Sequence, residues 1–332
     1  MNPSVSQNAF VIGVDVGGTK VAAGLVDYKG AIQSHVKGPM VANAGAAAGL
    51  EAVKTVIDQV SSATHAHDSI RAIGICSPGP LDPAKGIVIN PPNLPCWRNF
   101  PLASEISRIY GVPVKVDNDA NAAALAETLW GAGRGYRNVF YTCMGTGIGT
   151  GIVFDGCIYH GRTGAAGEGG HMSIDYRGPR CGCGKLGCIE ALASGPAIAR
   201  RAREALSKPE EHSTMLELAG GSLENINSHI VGRAHAAGDP IATRILRETV
   251  DVLTVWLGNI VDLLEPDVII MGGGVASMLQ PFFSSIQEKL PQHCINSRCQ
   301  EIPIVSAFYG EDSGIAGGAA LSSQRLAASL RM

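Results

Sequence analysis

Three groups of residues in this 332-residue chain have types and spacings suited to chemistry. The sharpest runs from Glu168-Gly169-Gly170-His171 to Cys181-Gly182-Cys183-Gly184-Lys185-Leu186-Gly187-Cys188-Ile189-Glu190. One histidine and three cysteines spaced C-x-C-x4-C, with glycines to bend the chain, supply four soft ligands for a closed tetrahedral zinc site. The alternative is a group of buried free thiols; C-x-C is not the redox C-x-x-C spacing. Four protein ligands leave no open position for water, so zinc is expected to fold the loop and fix the flanking Glu168 and Glu190 rather than perform the chemistry. The second group is Asp117-Asn118-Asp119-Ala120-Asn121. One of these residues would cap a helix, while Asp119, at a strand end in an open sheet, could accept a proton from a substrate hydroxyl. The third group is a set of glycine turns at 17–18, 145–151 and 272–274, each after an apolar run. Asp15-Val16-Gly17-Gly18-Thr19-Lys20 places Thr before Lys, which excludes a Walker loop, and Thr150 breaks G-x-G-x-x-G in the second turn. Ordinary turns and a nucleotide cradle of backbone N–H groups both remain open.

Strand ends and tight turns must hold these groups. Residues 10–16 and 21–26 predict two strands joined as a hairpin with GGTK at its tip. A helix over 46–60 and a strand over 71–76 follow, then a long Pro- and Asn-rich loop over 81–100. A helix over 101–109, a strand over 112–116 and an Ala-rich helix over 119–130 come next. The opening pattern then returns: strand 138–143, glycine turn 145–151, second arm 152–154, which suggests a duplicated unit. In the second half, Asp239-Pro240 predicts the start of a long helix with Leu246, Val250, Leu253, Leu257, Val261 and Leu264 on one face. A buried strand over 268–271 and a small-residue helix over 311–330 complete an α/β pattern. The expected division is residues 1–120 as an N-terminal domain and 121–332 as a larger one carrying the zinc site, with a return of the last helix to the first domain left open.

Composition narrows the classes. Glycine numbers 42, well above the usual share of about 7%, yet there is no G-X-Y period and 45% of residues are hydrophobic, which excludes collagen-like and disordered chains. The net charge of -3 gives no basic excess to draw nucleic acid or an anionic membrane surface. The N-terminus lacks a basic stretch followed by an apolar one, and the apolar run 252–264 is interrupted by Gly258, Asn259 and Asp262, so a soluble cytoplasmic protein is expected. Cys76, Cys96, Cys143, Cys157, Cys294 and Cys299 read as incidental thiols. His35, His65, His67, His160, His212, His229, His235 and His293 show no ligand spacing and read as solvated or packed.

Taken together, Asp15-x-Gly-Gly-Thr-Lys20, Asp117-Asn-Asp-Ala-Asn121, Met144-Gly-Thr-Gly-x-Gly149, Glu168-Gly-Gly-His171, Cys181-Gly-Cys-Gly-x-x-Gly-Cys-x-Glu190 and Met271-Gly-Gly-Gly274 resemble the ROK family of sugar kinases, most of all its bacterial glucokinases, over about residues 10–322. The resemblance implies an actin-like, hexokinase-like (ribonuclease H-like) α/β fold of two domains, with ATP and sugar in the interdomain cleft. It implies ATP-dependent phosphorylation of a hexose, glucose above N-acetylmannosamine, N-acetylglucosamine or fructose, and hence a place in carbohydrate metabolism and glycolysis. Asp119 then resembles the catalytic base; Asn118, Glu168, His171 and Glu190 the hydroxyl-binding set; His171, Cys181, Cys183 and Cys188 the zinc ligands. Gly17, Gly18, Thr19, Lys20, Gly145, Thr146 and Gly147 look like the phosphate side, and Gly273 and Gly274 the adenosine side. Asp15 is a candidate to hold hydrated Mg²⁺. The loop around Gly79-Pro80 and Asn93 is expected to select the sugar, and the family suggests a homodimer. A sugar-responsive repressor of the same family would carry a DNA-binding segment ahead of Asp15, for which this sequence is expected to have no room. An actin-like assembly ATPase or chaperone would share the nucleotide turns but would have no use for a zinc knot framed by two glutamates.

Overall fold

The computed structural model describes residues 9–63, 69–207 and 213–329; His65, His67 and His212 lie outside the described residues. The chain forms two compact units, Met1–Arg137 with Gly151–Gly167 and Phe308–Met332, and Asn138–Thr150 with Glu168–Ala307.

In the first unit, β1 (Phe10–Val16) and β2 (Lys20–Asp27) pair antiparallel, Val16 opposite Val21, around the tight turn at 17–19. A further strand, β3 (Ile32–Pro39), pairs with β2. The sequence reading has no counterpart for it, because its residues alternate between half-buried and exposed and its polar side chains give little apolar signal. Helix α1 (Ala46–Ala63) follows, then β4 (Ile70–Ser77) parallel to β1. The Pro- and Asn-rich stretch is not all loop: β5 (Leu81–Asp82) and β6 (Ile87–Val88) make a small hairpin, and Val88 bridges Phe100. Next come α2 (Leu102–Tyr110), β7 (Val114–Asn118) parallel to β4, and α3 (Asp119–Leu129). The resulting order is β3-β2-β1-β4-β7.

Successive strand side chains point to opposite faces, and both faces of this sheet are covered, which is why its central strands read as continuous apolar runs. Ile12, Val14, Ile73, Ile75 and Val116 pack with Val53, Trp97, Leu102 and Ile106 on one side. Val11 and Ala72 meet Ile315 and Ala319 on the other, while Cys76 joins Leu125 and Ala316.

Next in the chain come β8 (Asn138–Met144), which opens the second unit, β9 (Ile148–Phe154), which runs across the boundary at Thr150, and β10 (Cys157–Ile158), which belongs to the first unit. The predicted turn 145–151 is therefore shorter: it closes at Gly147, and Gly149 and Gly151 are strand residues. A Cβ on Gly151 would lie 2.6 Å from the Ala120 carbonyl oxygen, so the bare backbone there is required by helix α3 and not by a loop. Then come α4 (Ile189–Ala193), α5 (Gly195–Leu206), α6 (Thr214–Leu218), α7 (Ser228–Ala236) and α8 (Pro240–Leu264). Asp239 Oδ1 accepts from the backbone N–H groups of Ile241 and Ala242, both at 2.9 Å, and caps α8 as its sequence predicts. Of the predicted stripe, Leu246, Val250, Leu253, Leu257 and Val261 are buried and Leu264 is half-buried. Strand β11 (Val268–Gly272) runs parallel to β8 and passes directly into α9 (Gly273–Leu279), so the third predicted glycine turn is a strand-to-helix junction. Helix α10 (Phe283–Lys289) and β12 (Ile304–Ser306), parallel to β11, complete a sheet of order β10-β9-β8-β11-β12.

The last helix, α11 (Ser313–Ser329), belongs to the first unit. It lies almost backbone to backbone on the sheet: a Cβ on Gly13 would sit 1.8 Å from the Ile315 carbonyl oxygen, and one on Gly74 1.7 Å from that of Gly318. Among the described residues no helix is long and apolar enough to cross a membrane.

Candidate active site

The end of β7 divides three polar residues among three tasks. Asn118 is the cap of α3, its Oδ1 accepting from Ala120 N at 2.9 Å and Asn121 N at 3.4 Å. Asp117, only 4% exposed, accepts from Asn118 N at 2.7 Å and Asn121 Nδ2 at 3.2 Å through Oδ1. Asp119 is thereby released from both duties; its Oδ1 accepts the neighbouring Ala120 N at 2.8 Å, the Asn118 side chain also hydrogen-bonds its carboxyl, and the residue keeps an exposed face. Protein packed around the carboxyl desolvates it and raises its pKa above the ordinary aspartate range, with the Asp15 charge adding to this and the Ala120 N–H opposing it. Burial likewise raises Asp15, against a 3.4 Å contact from the Cys76 thiol.

The turn after β1 is closed by Gly17 N donating to Lys20 O at 2.8 Å, with Thr19 and Lys20 exposed. A Cβ on Gly18 would stand 2.7 Å from the Asn93 carbonyl oxygen, so Gly18 and Asn93 are direct neighbours. Gly79 adjoins Asn118: a Cβ there would lie 3.9 Å from Asn118 Nδ2, the donor group that the cap does not use. The first unit thus holds Asp15 and Asn118 at strand ends, Asp119 at the start of α3 and Lys20 at the start of β2, with Gly17, Gly18, Thr19, Gly79 and Asn93 in its loops.

The second unit holds the rest. The donor atoms of His171, Cys181, Cys183 and Cys188 lie within 4.8 Å of one another. Cys181 Sγ is 3.6 Å from His171 Nδ1, and Cys183 Sγ is 3.6 Å from Cys188 Sγ. Ligands placed tetrahedrally at Zn–S of about 2.3 Å would be separated by about 3.8 Å, so the donor set fits a zinc ion. His171 turns Nδ1 toward the sulfurs, which leaves Nε2 for another partner. Desolvation pushes the Cys188 thiol up to about 12, while the backbone N–H of Lys185 lowers Cys183.

Glu190 ties this knot to the second glycine turn. Its Oε2 accepts from Ile148 N at 3.0 Å, and its Oε1 is 3.5 Å from Cys181 Sγ and 3.8 Å from His171 Nδ1. A Cβ on Gly147 would be 2.6 Å from Oε2. The turn itself is closed by Gly145 N donating to Gly147 O at 2.9 Å, and Gly195 N donates to Gly145 O at 2.8 Å. Thr146 is exposed at its tip. Glu168 is exposed, and its carbonyl accepts from His171 N at 3.0 Å. Gly273 has φ +86° and would clash with Met144 O at 2.4 Å if it carried a Cβ, and Gly274 follows it in the first turn of α9.

Comparison with known proteins decides the family. The ROK family model matches residues 11–325. The chain belongs to the ROK family. A protein of Thermotoga maritima named glucokinase is 35% identical over 316 residues, covering 95% of this chain and 98% of that one. A protein of Citrobacter koseri named N-acetylmannosamine kinase is 30% identical over 311 residues, 94% of this chain and 98% of the other. The crystal structure of a ROK family glucokinase from Streptomyces griseus, in complex with glucose and AMPPNP, aligns with a TM-score of 0.79 at 34% identity, covering 95% of this chain and all of that chain. The fold is thus the α/β, actin-like one of this ROK family, here built as two compact units.

One residue escapes the sequence reading. His160, read there as solvated or packed, has its Nε2 2.6 Å from Asp117 Oδ2. That hydrogen bond raises its pKa above the ordinary imidazole value, against desolvation and the nearby Lys115. No spacing rule connects positions 43 residues apart.

Proposed function

We propose that the chain is an ATP-dependent hexose kinase that converts glucose to glucose 6-phosphate. The observation that carries the reading is the arrangement at the β7–α3 junction: Asn118 caps the helix, leaving Asp119 a desolvated carboxylate with an open face. A base whose pKa is raised toward the working pH removes a hydroxyl proton more effectively than an ordinary surface aspartate. The relatives at 35% and 30% identity and the complex with glucose and AMPPNP above support a hexose as acceptor and ATP as donor.

In this reading Asp119 takes the proton of the sugar 6-hydroxyl as that oxygen bonds to the γ-phosphorus. The bond from the γ-phosphorus to the bridging oxygen breaks, and ADP leaves with the electron pair. Backbone N–H groups of the turns holding Gly17, Gly18, Thr19 and Lys20, and Gly145, Thr146 and Gly147, face the phosphates, with Gly273 and Gly274 on the adenosine side. Asn118 Nδ2, Glu168, His171 Nε2 and Glu190 hold sugar hydroxyls, and Gly79 and Asn93 border them. Mg²⁺ would neutralise developing phosphate charge. Asp15 suits it, since Asp15 and Asp119 are desolvated carboxylates and the Asp15 charge raises Asp119, a state that a dication relieves. Zinc on His171, Cys181, Cys183 and Cys188 would supply rigidity alone, fixing Glu190 and the imidazole. We further propose a cytoplasmic homodimer, which light scattering would test as a doubled mass.

ADP release measured across glucose, fructose, N-acetylglucosamine and N-acetylmannosamine tests the acceptor. The highest kcat/KM is expected with glucose. The relative named N-acetylmannosamine kinase supports a second reading, and a higher value with that sugar would replace the first.

A further inference from the structure

Asp117 stands one residue before the cap and two before the proposed base. Both of its oxygens are committed. Oδ1 accepts from Asn118 N at 2.7 Å and Asn121 Nδ2 at 3.2 Å, and Oδ2 lies 2.6 Å from His160 Nε2. The imidazole is the donor, because a carboxylate only accepts. Asp117 forms an ion pair with this histidine when the imidazole is protonated. A carboxylate that is 4% exposed needs such a partner, since burying a charge without one is costly.

His160 is itself held from behind. Its carbonyl accepts from Ala166 N at 3.1 Å, and the preceding Tyr159 N donates to Ile152 O at 2.8 Å. The ring therefore approaches Asp117 from a loop independent of β7 and α3. His160 and Asp117 both line a cavity of about 610 Å³. The charged groups on the wall are Asp82, Lys85, Lys115, Asp117 and Arg162, and Asp82 is paired with Lys85 at 3.1 Å.

We infer that His160 is a positioning residue for the β7–α3 junction: by fixing Asp117 it sets the Asp117–Asn118 peptide and, through it, the direction of the Asp119 carboxylate. The inference rests on Asp119 being the base. With Nε2–H removed, Oδ2 of Asp117 has lost its partner in a buried place, and the carboxylate can turn to recover one only by releasing Asn118 N or Asn121 Nδ2.

The test compares His160→Phe, His160→Asn and His160→Gln in the full chain, with glucose and ATP. Glutamine can donate from about the position of Nε2; asparagine is too short, and phenylalanine has no donor. His160→Phe and His160→Asn are expected to lose about tenfold in kcat, below the about hundredfold that a 1 Å misplacement can cost, with KM for ATP unchanged and His160→Gln within about threefold of wild type. A purely structural role would lower the melting temperature and the active fraction without this kcat split or the glutamine rescue. A folded His160→Phe or His160→Asn with wild-type kcat, or a His160→Gln as impaired as they are, overturns the inference alone. A wild-type chain that phosphorylates no hexose removes the reading of Asp119, and the inference with it.

Discussion

Replacing Asp119 by asparagine separates the proposed base from everything structural around it. The helix cap, which is typically worth about 1 kcal/mol, belongs to Asn118 and stays in place. The hydrogen bonds that reach the Asp119 carboxyl, from Ala120 N at 2.8 Å and from the Asn118 side chain, can be accepted by an amide oxygen as well. Desolvation raises this carboxyl, so folding opposes its charge: the native state gains from protonating it below the raised pKa and loses that gain as pH rises through it. Asparagine carries no such cost, and Asp119→Asn is expected to melt at or above the wild-type temperature at pH 7. Turnover behaves differently. A positioned general base contributes about 10²–10⁴-fold, or about 2.7–5.4 kcal/mol of barrier, and kcat should fall by that factor. Calorimetric titration with glucose and a non-hydrolysable ATP analogue is expected to show wild-type affinity. In the wild type, kcat/KM should decline as pH drops through the Asp119 titration, with its midpoint above the ordinary aspartate value of about 3.9. A folded Asp119→Asn protein retaining more than about a tenth of wild-type kcat would refute the argument, since no base contribution in that range survives.

Metal removal should act on binding and stability together. Chelation or Cys188→Ser is expected to reduce glucose affinity and melting temperature in parallel, because Glu190 leans on Cys181 and His171; purified active protein free of zinc contradicts this. Gly74→Ala places a methyl 1.7 Å from the Gly318 carbonyl and should cost about 3 kcal/mol, read as a melting-temperature drop of about 6–12 °C. A drop below about 2 °C would show that α11 yields freely. The His160 series adds a fourth expectation, a kcat loss rescued by glutamine.

Elements whose signals are local are legible in the sequence. Asp239-Pro240 and one apolar stripe are enough to define α8, and the clustering of His171, Cys181, Cys183 and Cys188 reads directly because these donors are close in sequence and glycine-spaced. The division of labour at Asp117-Asn118-Asp119 is only half legible. The sequence says that one residue caps, and the geometry says that it is Asn118. Gly149 and Gly151 read as turn because glycine is a poor strand former, whereas their role depends on what approaches them. The seating of α11 on β1 and β4 joins positions such as Cys76 and Gly314, 238 residues apart, where small size is the only clue. His160 leaves no clue at all, because its meaning comes from a single contact with a residue 43 positions away.

The most direct measurement is the ³¹P spectrum of the chain incubated with glucose, ATP and Mg²⁺. A hexose 6-phosphate ester appearing in step with ADP is the predicted result. Orthophosphate in step with ADP, or ATP left intact, would contradict the assignment of a hexose kinase.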